Sequence, residues 1–301
     1  MIGGAAPELP GVPGEYYGRP TRRLESEYCW LDVLSEGGPR IVGFGLRGRD
    51  NILAETPQSS WDLEFGLYEL LGGHRLWFAP ESAECSVPDS TGLKIAPISE
   101  ADGPAVRLIG AVEAPTGLRK IEEIRLDRGS AGVAIRHVLR NEGERTLELA
   151  PWPITQLRLG GVAVLPLPAR VKKSGVLPSQ LIALWPYASW ADERLAIGER
   201  WLTVTARPAS PFKIGHLNRT GSLGYLRDGL LFVLRFDPAL GAVHADMGCN
   251  AEVYCDEQTI ELESLGPLVR LEPGESTTHD ERWELREVGP AFDAAGVAAL
   301  L

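Results

Sequence analysis

No stretch of the 301-residue sequence approaches the roughly 18 consecutive apolar residues that a membrane-spanning helix needs, so no membrane partner is expected. Clustered basic residues are missing as well: 30 Lys and Arg against 41 Asp and Glu leave a net charge of -11. Nucleic-acid phosphates call for a concentrated positive surface, and an acidic chain without a basic run excludes that partner. The first twenty residues, MIGGAAPELPGVPGEYYGRP, lack a basic start leading into an apolar segment. No secretory leader is therefore expected, and the default location is cytoplasmic. Cysteine is scarce and scattered. Cys29, Cys85, Cys249 and Cys255 show no CxxC spacing, so each reads as a small buried hydrophobe with no disulfide and no cysteine metal site.

Helical periodicity is thin. Ser59 to Leu71 is one candidate for a short helix, and the Ala- and Leu-rich tail Ala291 to Leu301 is the other. What is abundant is strand patterning, punctuated by 34 Gly and 23 Pro. Apolar runs of strand length recur at Tyr28 to Leu34, Arg40 to Leu46, Ala105 to Val112, Leu118 to Leu126 and Gly132 to Leu139. They continue at Thr146 to Pro151, Trp201 to Ala206, Phe212 to Leu217, Leu230 to Phe236, Thr259 to Leu265 and Ser276 to Val288. Turn signals such as Asp127-Arg128-Gly129 and Arg227-Asp228-Gly229 separate them. Around Asn141-Glu142-Gly143 the alternation of Ile135, His137 and Leu139 before, and of Leu147 and Leu149 after, predicts a hairpin. There is no composition break and no repeat of solenoid period. The expected organisation is a loose arm over 1–20, one antiparallel all-β domain over 21–288 and a helical tail over 289–301.

One run stands out chemically: Gly72-Gly73-His74-Arg75-Leu76-Trp77-Phe78-Ala79-Pro80-Glu81. Within ten positions it holds an imidazole, a guanidinium, two aromatics and a carboxylate. Each polar member is costly to bury alone, and polar groups beside aromatic faces suit a ligand with both hydroxyls and C–H faces, such as a sugar. The alternative is structural: Arg75 pairs with Glu81 while Leu76, Trp77 and Phe78 fill a core.

A second segment lies near the carboxyl end. On the strand Thr259 to Leu265, Glu261 and Glu263 share one face while Ile260, Leu262 and Ser264 share the other. Either two carboxylates enter one pocket or the face is solvated. Asp246, Asn250 and Glu252 precede it, as ligand contacts or as turn chemistry. Lys213 is a lone charge in the apolar strand Pro211-Phe212-Lys213-Ile214-Gly215, which places it inward against Glu263 or a ligand anion.

Together these elements resemble the galactose-mutarotase-like superfamily, the relatives of aldose 1-epimerases. The match is closest to a bacterial branch with a GGHRLW-APE motif. The early strand Arg40 to Gly45 leading to Asp50-Asn51-Ile52-Leu53 is similar to the family's opening strand pair. Gly72 to Glu81 stands where the family has a sugar-contacting Gly-Gly loop, and Leu262-Glu263-Ser264 resembles its Leu-Glu-Thr element, whose Glu is the catalytic base. Leu271-Glu272-Pro273-Gly274-Glu275-Ser276 with Trp283 resembles its closing hairpin.

The resemblance implies a β-supersandwich of two large twisted antiparallel sheets with a sugar cleft. It also implies epimerase-like proton transfer at an anomeric centre, which needs an acid and a base on opposite sides of the sugar. Glu263 is then the base. The family's mid-chain acid His has no counterpart, since that place reads Leu149-Ala150-Pro151-Trp152-Pro153-Ile154-Thr155. His74 and Lys213 are the substitutes for the acid, and His137 reads as structural. Arg75, Trp77, Glu81, Trp152, Asp246, Asn250 and Glu252 are the candidate substrate contacts. The spacing of Asp246, Glu252 and His74 does not demand a metal, and no metal or other cofactor is expected. The expected partner is a small-molecule carbohydrate, and the assembly allowed for is a homodimer. The function expected is carbohydrate binding, either with epimerase-like chemistry as an isomerase or as a non-catalytic binding or accessory domain with a degenerate cleft.

Overall fold

Period-two burial builds the sheets. Along Leu118–Leu126 every second residue is buried and the residues between are half-buried, so one face must meet a second layer. This strand pairs antiparallel with Gly132–Asn141 on one side and Ala105–Val112 on the other, placing Ile124 opposite Ile135 and Val106. The computed structural model describes residues 9–168, 178–289 and 291–301.

Among the described residues two large antiparallel sheets dominate, one of eleven strands and one of ten, with a separate two-stranded hairpin. The centre of the larger sheet carries, in spatial order, Ile41–Leu46, His74–Ala79, Leu147–Arg158, Thr259–Ser264, Ala251–Cys255 and Phe212–His216. The smaller sheet is centred on Leu230–Phe236, Ser276–Glu287, Gly132–Asn141 and Leu118–Leu126. Leu31, Phe44, Ile214 and Leu262 of the larger sheet meet Val133, Leu165, Phe232 and Trp283 of the smaller in one continuous buried core. The chain is thus all-β in two large sheets, as the sequence patterning and the resemblance imply. No described helix is long and apolar enough to cross a membrane.

Four local expectations change. Ser59 to Leu71 is not a helix but most of the projecting hairpin Glu55–Leu63 with Gly66–Gly72, turned where Gly66 takes a positive φ. The arm expected over 1–20 is sheet from Val12: Val12–Tyr16 pairs with Arg19–Glu25 at the edge of the larger sheet, while residues 1–8 lie outside the described part. The hairpin expected around Asn141-Glu142-Gly143 is a crossover. Gly132–Asn141 lies in the smaller sheet and Leu147–Arg158 in the larger, and the Asn141 side chain holds the corner by donating to the Arg145 and Leu271 carbonyls. Finally, most of the run Gly72 to Glu81 is not a loop: His74–Ala79 is a buried central strand.

At the carboxyl end Ala294–Leu300 forms a helix whose first turn is capped by Asp293 accepting from the Gly296 amide. Its Val297 packs on Val164, Leu231 and Val233, on the outer face of the smaller sheet. The four cysteines are buried free thiols.

Candidate functional site

The register of five neighbouring strands assembles one surface. Arg75 lies opposite Ile154 and Trp77 opposite Trp152; Ile154 in turn faces Glu263, and Gln156 faces Glu261. Across the next two pairings Glu263 lies opposite Glu252, and Tyr254 opposite both Glu261 and Lys213. Alternation sends all of these side chains to the face turned away from the second sheet, while His74, Thr155, Leu262 and Ile214 point into the inter-sheet core. The Gly pair sets this phase. Leu71, Gly72 and Gly73 have φ of 61, 79 and 71°, a left-handed reversal that swings the chain from the hairpin into the strand that carries Arg75.

The result is a cleft of about 570 Å³, a size that suits one or two sugar rings. Aromatic rings run along it in sequence. The centroids of Trp61 and Trp77 are 6.3 Å apart and those of Trp77 and Trp152 5.5 Å apart. Lys213 Nζ then sits 4.5 Å from the Trp152 ring and 4.7 Å from Trp185. Trp77 and Trp152 form a buried floor, whereas Trp61 and Tyr187 are exposed walls and Trp185 is half-buried.

Polar groups of the floor are only partly satisfied. Arg75 Nη2 is 3.4 Å from Glu261 Oε1, which also accepts from Gln156 Nε2 at 2.7 Å. Arg75 Nε and Nη1 and Gln156 Oε1 are buried without a hydrogen-bond partner among the described residues. Two donor nitrogens and one acceptor oxygen of residues lining the cleft are thus left unpaired among the described residues.

Lys213 behaves differently. Its Nζ lies 2.7 Å from Glu252 Oε2 and 2.8 Å from Glu263 Oε2, and Glu263 Oε2 also accepts from Trp152 Nε1 at 2.7 Å. Burial opposes the lysine charge, but the Glu263 and Glu252 carboxylates outweigh it and hold its pKa well above the usual lysine range. Burial pushes the Glu252 carboxyl well up, with Lys213 opposing. Glu261 is pushed up to about 7 by burial, with Arg75 opposing. Burial also raises Glu81, at the cleft mouth, and Asp246, again against the lysine. Trp152 and Lys213 line the cleft; Glu263 is fully buried beneath them.

The structure therefore brings Arg75, Trp77, Trp152, Lys213, Glu252 and Glu263 together, with Glu81 lining the mouth. Two candidates fall elsewhere. His74 is fully buried on the opposite face of its strand, with Nδ1 3.0 Å from Thr155 Oγ1 and Nε2 2.8 Å from His137 Nε2. It cannot reach a ligand in the cleft, because His74 and Arg75 are consecutive and a strand alternates. Asn250 is a loop brace: its Nδ2 donates to the Asn218 and Pro238 carbonyls and its Oδ1 accepts from the Asn218 amide. The structural pairing considered for Arg75 also differs, because its ion-pair partner is Glu261 rather than Glu81. Asp246 opens a strained turn in which Asp246, Met247 and Gly248 all have positive φ.

Gln156, Trp61, Trp185, Tyr187 and Tyr254 are cleft residues absent from the sequence-based candidates. Tyr254 was within reach, since it alternates with Glu252 on a strand. Trp61, Trp185 and Tyr187 were not, because they come from a hairpin and a loop whose folding-back no local pattern encodes.

No protein-family model matches the chain, and no curated protein matches it in sequence. Solved structures do. A TPR-domain containing protein from Parabacteroides distasonis superposes with a TM-score of 0.63 at 14% identity, covering 92% of this chain and 48% of that one. This chain therefore spans about half the length of that protein. A galactose mutarotase-like protein from Lactobacillus casei gives 0.55 at 10% identity, over 88% of this chain and 100% of its own. A galactose mutarotase related enzyme from Lactobacillus acidophilus gives 0.52 at 7%, over 91% and 99%. The two sheets and these superpositions define a galactose-mutarotase-like fold. At such low identity the likeness is one of fold alone.

Proposed function

We propose that this chain binds an uncharged carbohydrate in the aromatic cleft, and that it does so without mutarotase chemistry. The observation that carries the reading is the floor itself. Among the described residues Arg75 offers two unpartnered donor nitrogens and Gln156 one unpartnered carbonyl, and both side chains lie within a frame of indole rings. A sugar hydroxyl donates and accepts at once, so one diol satisfies all three atoms while its C–H face packs on Trp61 or Trp185. An anionic sugar fits worse. Lys213 is already paired with two carboxylates, and the carboxyl groups of Glu81 and Glu261 line the remaining space.

The catalytic reading needs Glu263 to meet an anomeric hydroxyl and an acid tuned toward neutrality. Glu263 is buried under Lys213 and Trp152, and Lys213 is tuned away from neutrality. Its role in this proposal is that of a counter-ion. The kinship in fold with proteins named as mutarotase-related keeps one assay obligatory. A panel of neutral aldoses and disaccharides should raise the melting temperature of the wild type; Arg75→Met should abolish the rise and Trp185→Ala should reduce it. Polarimetry should show no acceleration of anomer interconversion. Acceleration that vanishes in Glu263→Gln would replace the binding reading with the epimerase one.

A further inference from the structure

Beneath the cleft, between the sheets, lies a second cluster that the binding proposal does not use. His74 comes from the larger sheet, and His137 and Glu122 from the smaller, where they face one another across two strands. All three are fully buried. One ligand atom from each lies within 4.8 Å of the others, and the two imidazole Nε2 atoms are 2.8 Å apart.

We propose that His74, His137 and Glu122 bind one divalent transition-metal ion, zinc by preference, which ties the two sheets together under the cleft. Three observations support this. First, the outer nitrogens are already oriented. His137 Nδ1 is 3.0 Å from the His279 carbonyl, which can only accept, so Nδ1 carries the proton and Nε2 presents its lone pair inward. His74 Nδ1 meets Thr155 Oγ1 at 3.0 Å, a partner that accepts as readily as it donates. Second, the donor set is two imidazoles and one carboxylate, which suits Zn²⁺ with a fourth position left open. Third, both Glu122 oxygens are buried without a hydrogen-bond partner among the described residues.

The third point separates two arrangements. In a purely hydrogen-bonded chain Thr155 donates to His74, His74 donates to His137, and His137 donates to the His279 carbonyl. Every nitrogen is then satisfied, and Glu122 accepts no hydrogen bond among the described residues. With an ion, both Nε2 atoms and a Glu122 oxygen converge on it, and His74 Nδ1–H turns to donate to Thr155 Oγ1. Of the two, only this arrangement gives a Glu122 oxygen a direct partner. It also explains the position: His74 precedes Arg75, so an ion held by His74 would fix the strand that presents the cleft floor.

Because the site is sealed, the ion must enter as the chain folds. Untagged chain is unfolded with chelator present, then refolded with Zn²⁺ or Co²⁺, and its metal content is measured after desalting. About one ion per chain is expected, with visible Co²⁺ bands of a four-coordinate nitrogen and oxygen site. Glu122→Gln, nearly isosteric, should weaken uptake roughly tenfold or more. Less than about one ion per ten wild-type chains, or equal uptake by Glu122→Gln, would overturn the assignment. If the variant does not fold, the zinc absorption-edge spectrum of the wild type decides: two imidazoles with oxygen support the site, and any other ligand set contradicts it.

Discussion

At the scale of single residues, buried polar groups separate into those with partners and those without. His216 has none at either ring nitrogen among the described residues, and burial alone drops its pKa from 6.5 to about 4. It folds neutral. Between about 4 and 6.5 the unfolded chain binds a proton that the folded chain does not, so this contribution to stability rises with pH and is complete above 6.5. His216→Leu should therefore raise stability at neutral pH by about 1–2 kcal/mol. It should also remove about one proton from the pH dependence of unfolding in that window, read from denaturant melts at several pH values. Lys213 is the opposite case. Lys213→Met leaves Glu252 and Glu263 buried without their cation, a loss of about 3–5 kcal/mol. Adding Glu252→Gln and Glu263→Gln to that variant should recover most of it, which a melting series would show.

Residue chemistry was only half legible. Lys213 could be read as inward-facing from its apolar neighbours, and Glu261 with Glu263 as one face, because both inferences need only the period of a strand. The neighbourhood of His74 in the run Gly72 to Glu81 could not, since whether that run is loop or strand decides which of His74 and Arg75 sees the cleft. Once it is a strand, the two are forced apart.

At the scale of elements, turn chemistry was the most dependable signal. Arg227-Asp228-Gly229 is a tight hairpin with φ of 51° at Asp228 and 72° at Gly229, as its Asp-Gly pair demands. Strand spans such as Ala105–Val112 and Leu118–Leu126 follow directly from alternation. Partner choice does not. Asn141-Glu142-Gly143 carries the same kind of turn signal as a hairpin, yet its flanking strands belong to different sheets. The Gly72-Gly73 reversal is the element on which the site depends most. A Cβ at Gly73 would stand 2.1 Å from the Ile41 carbonyl oxygen, and its φ is 71°. Gly73→Ala should cost roughly 2 kcal/mol or more and weaken saccharide binding with it, because the strand bearing Arg75 and Trp77 must shift. Denaturant unfolding and titration of the same sample would show both effects.

For the whole molecule, two sheets sharing one core leave one face of the larger sheet free, and that face holds the cleft. Its floor comes from five adjacent strands whose sequence positions run from 74 to 263, which is why no short motif contains it. Its walls, Trp61 on a projecting hairpin and Trp185 with Tyr187 on a loop, are the parts best placed to set which saccharide fits. Trp61→Ala and Trp185→Ala should each weaken binding about tenfold while leaving the melting temperature of the free protein nearly unchanged. The most direct measurement is a crystal structure with the best stabilising neutral saccharide bound. A sugar diol against Arg75 and Gln156, with its ring on Trp61 or Trp185 and no atom in contact with Glu263, is the result expected. A saccharide bound outside the cleft, or one whose anomeric hydroxyl rests on a Glu263 freed from Lys213, would contradict it.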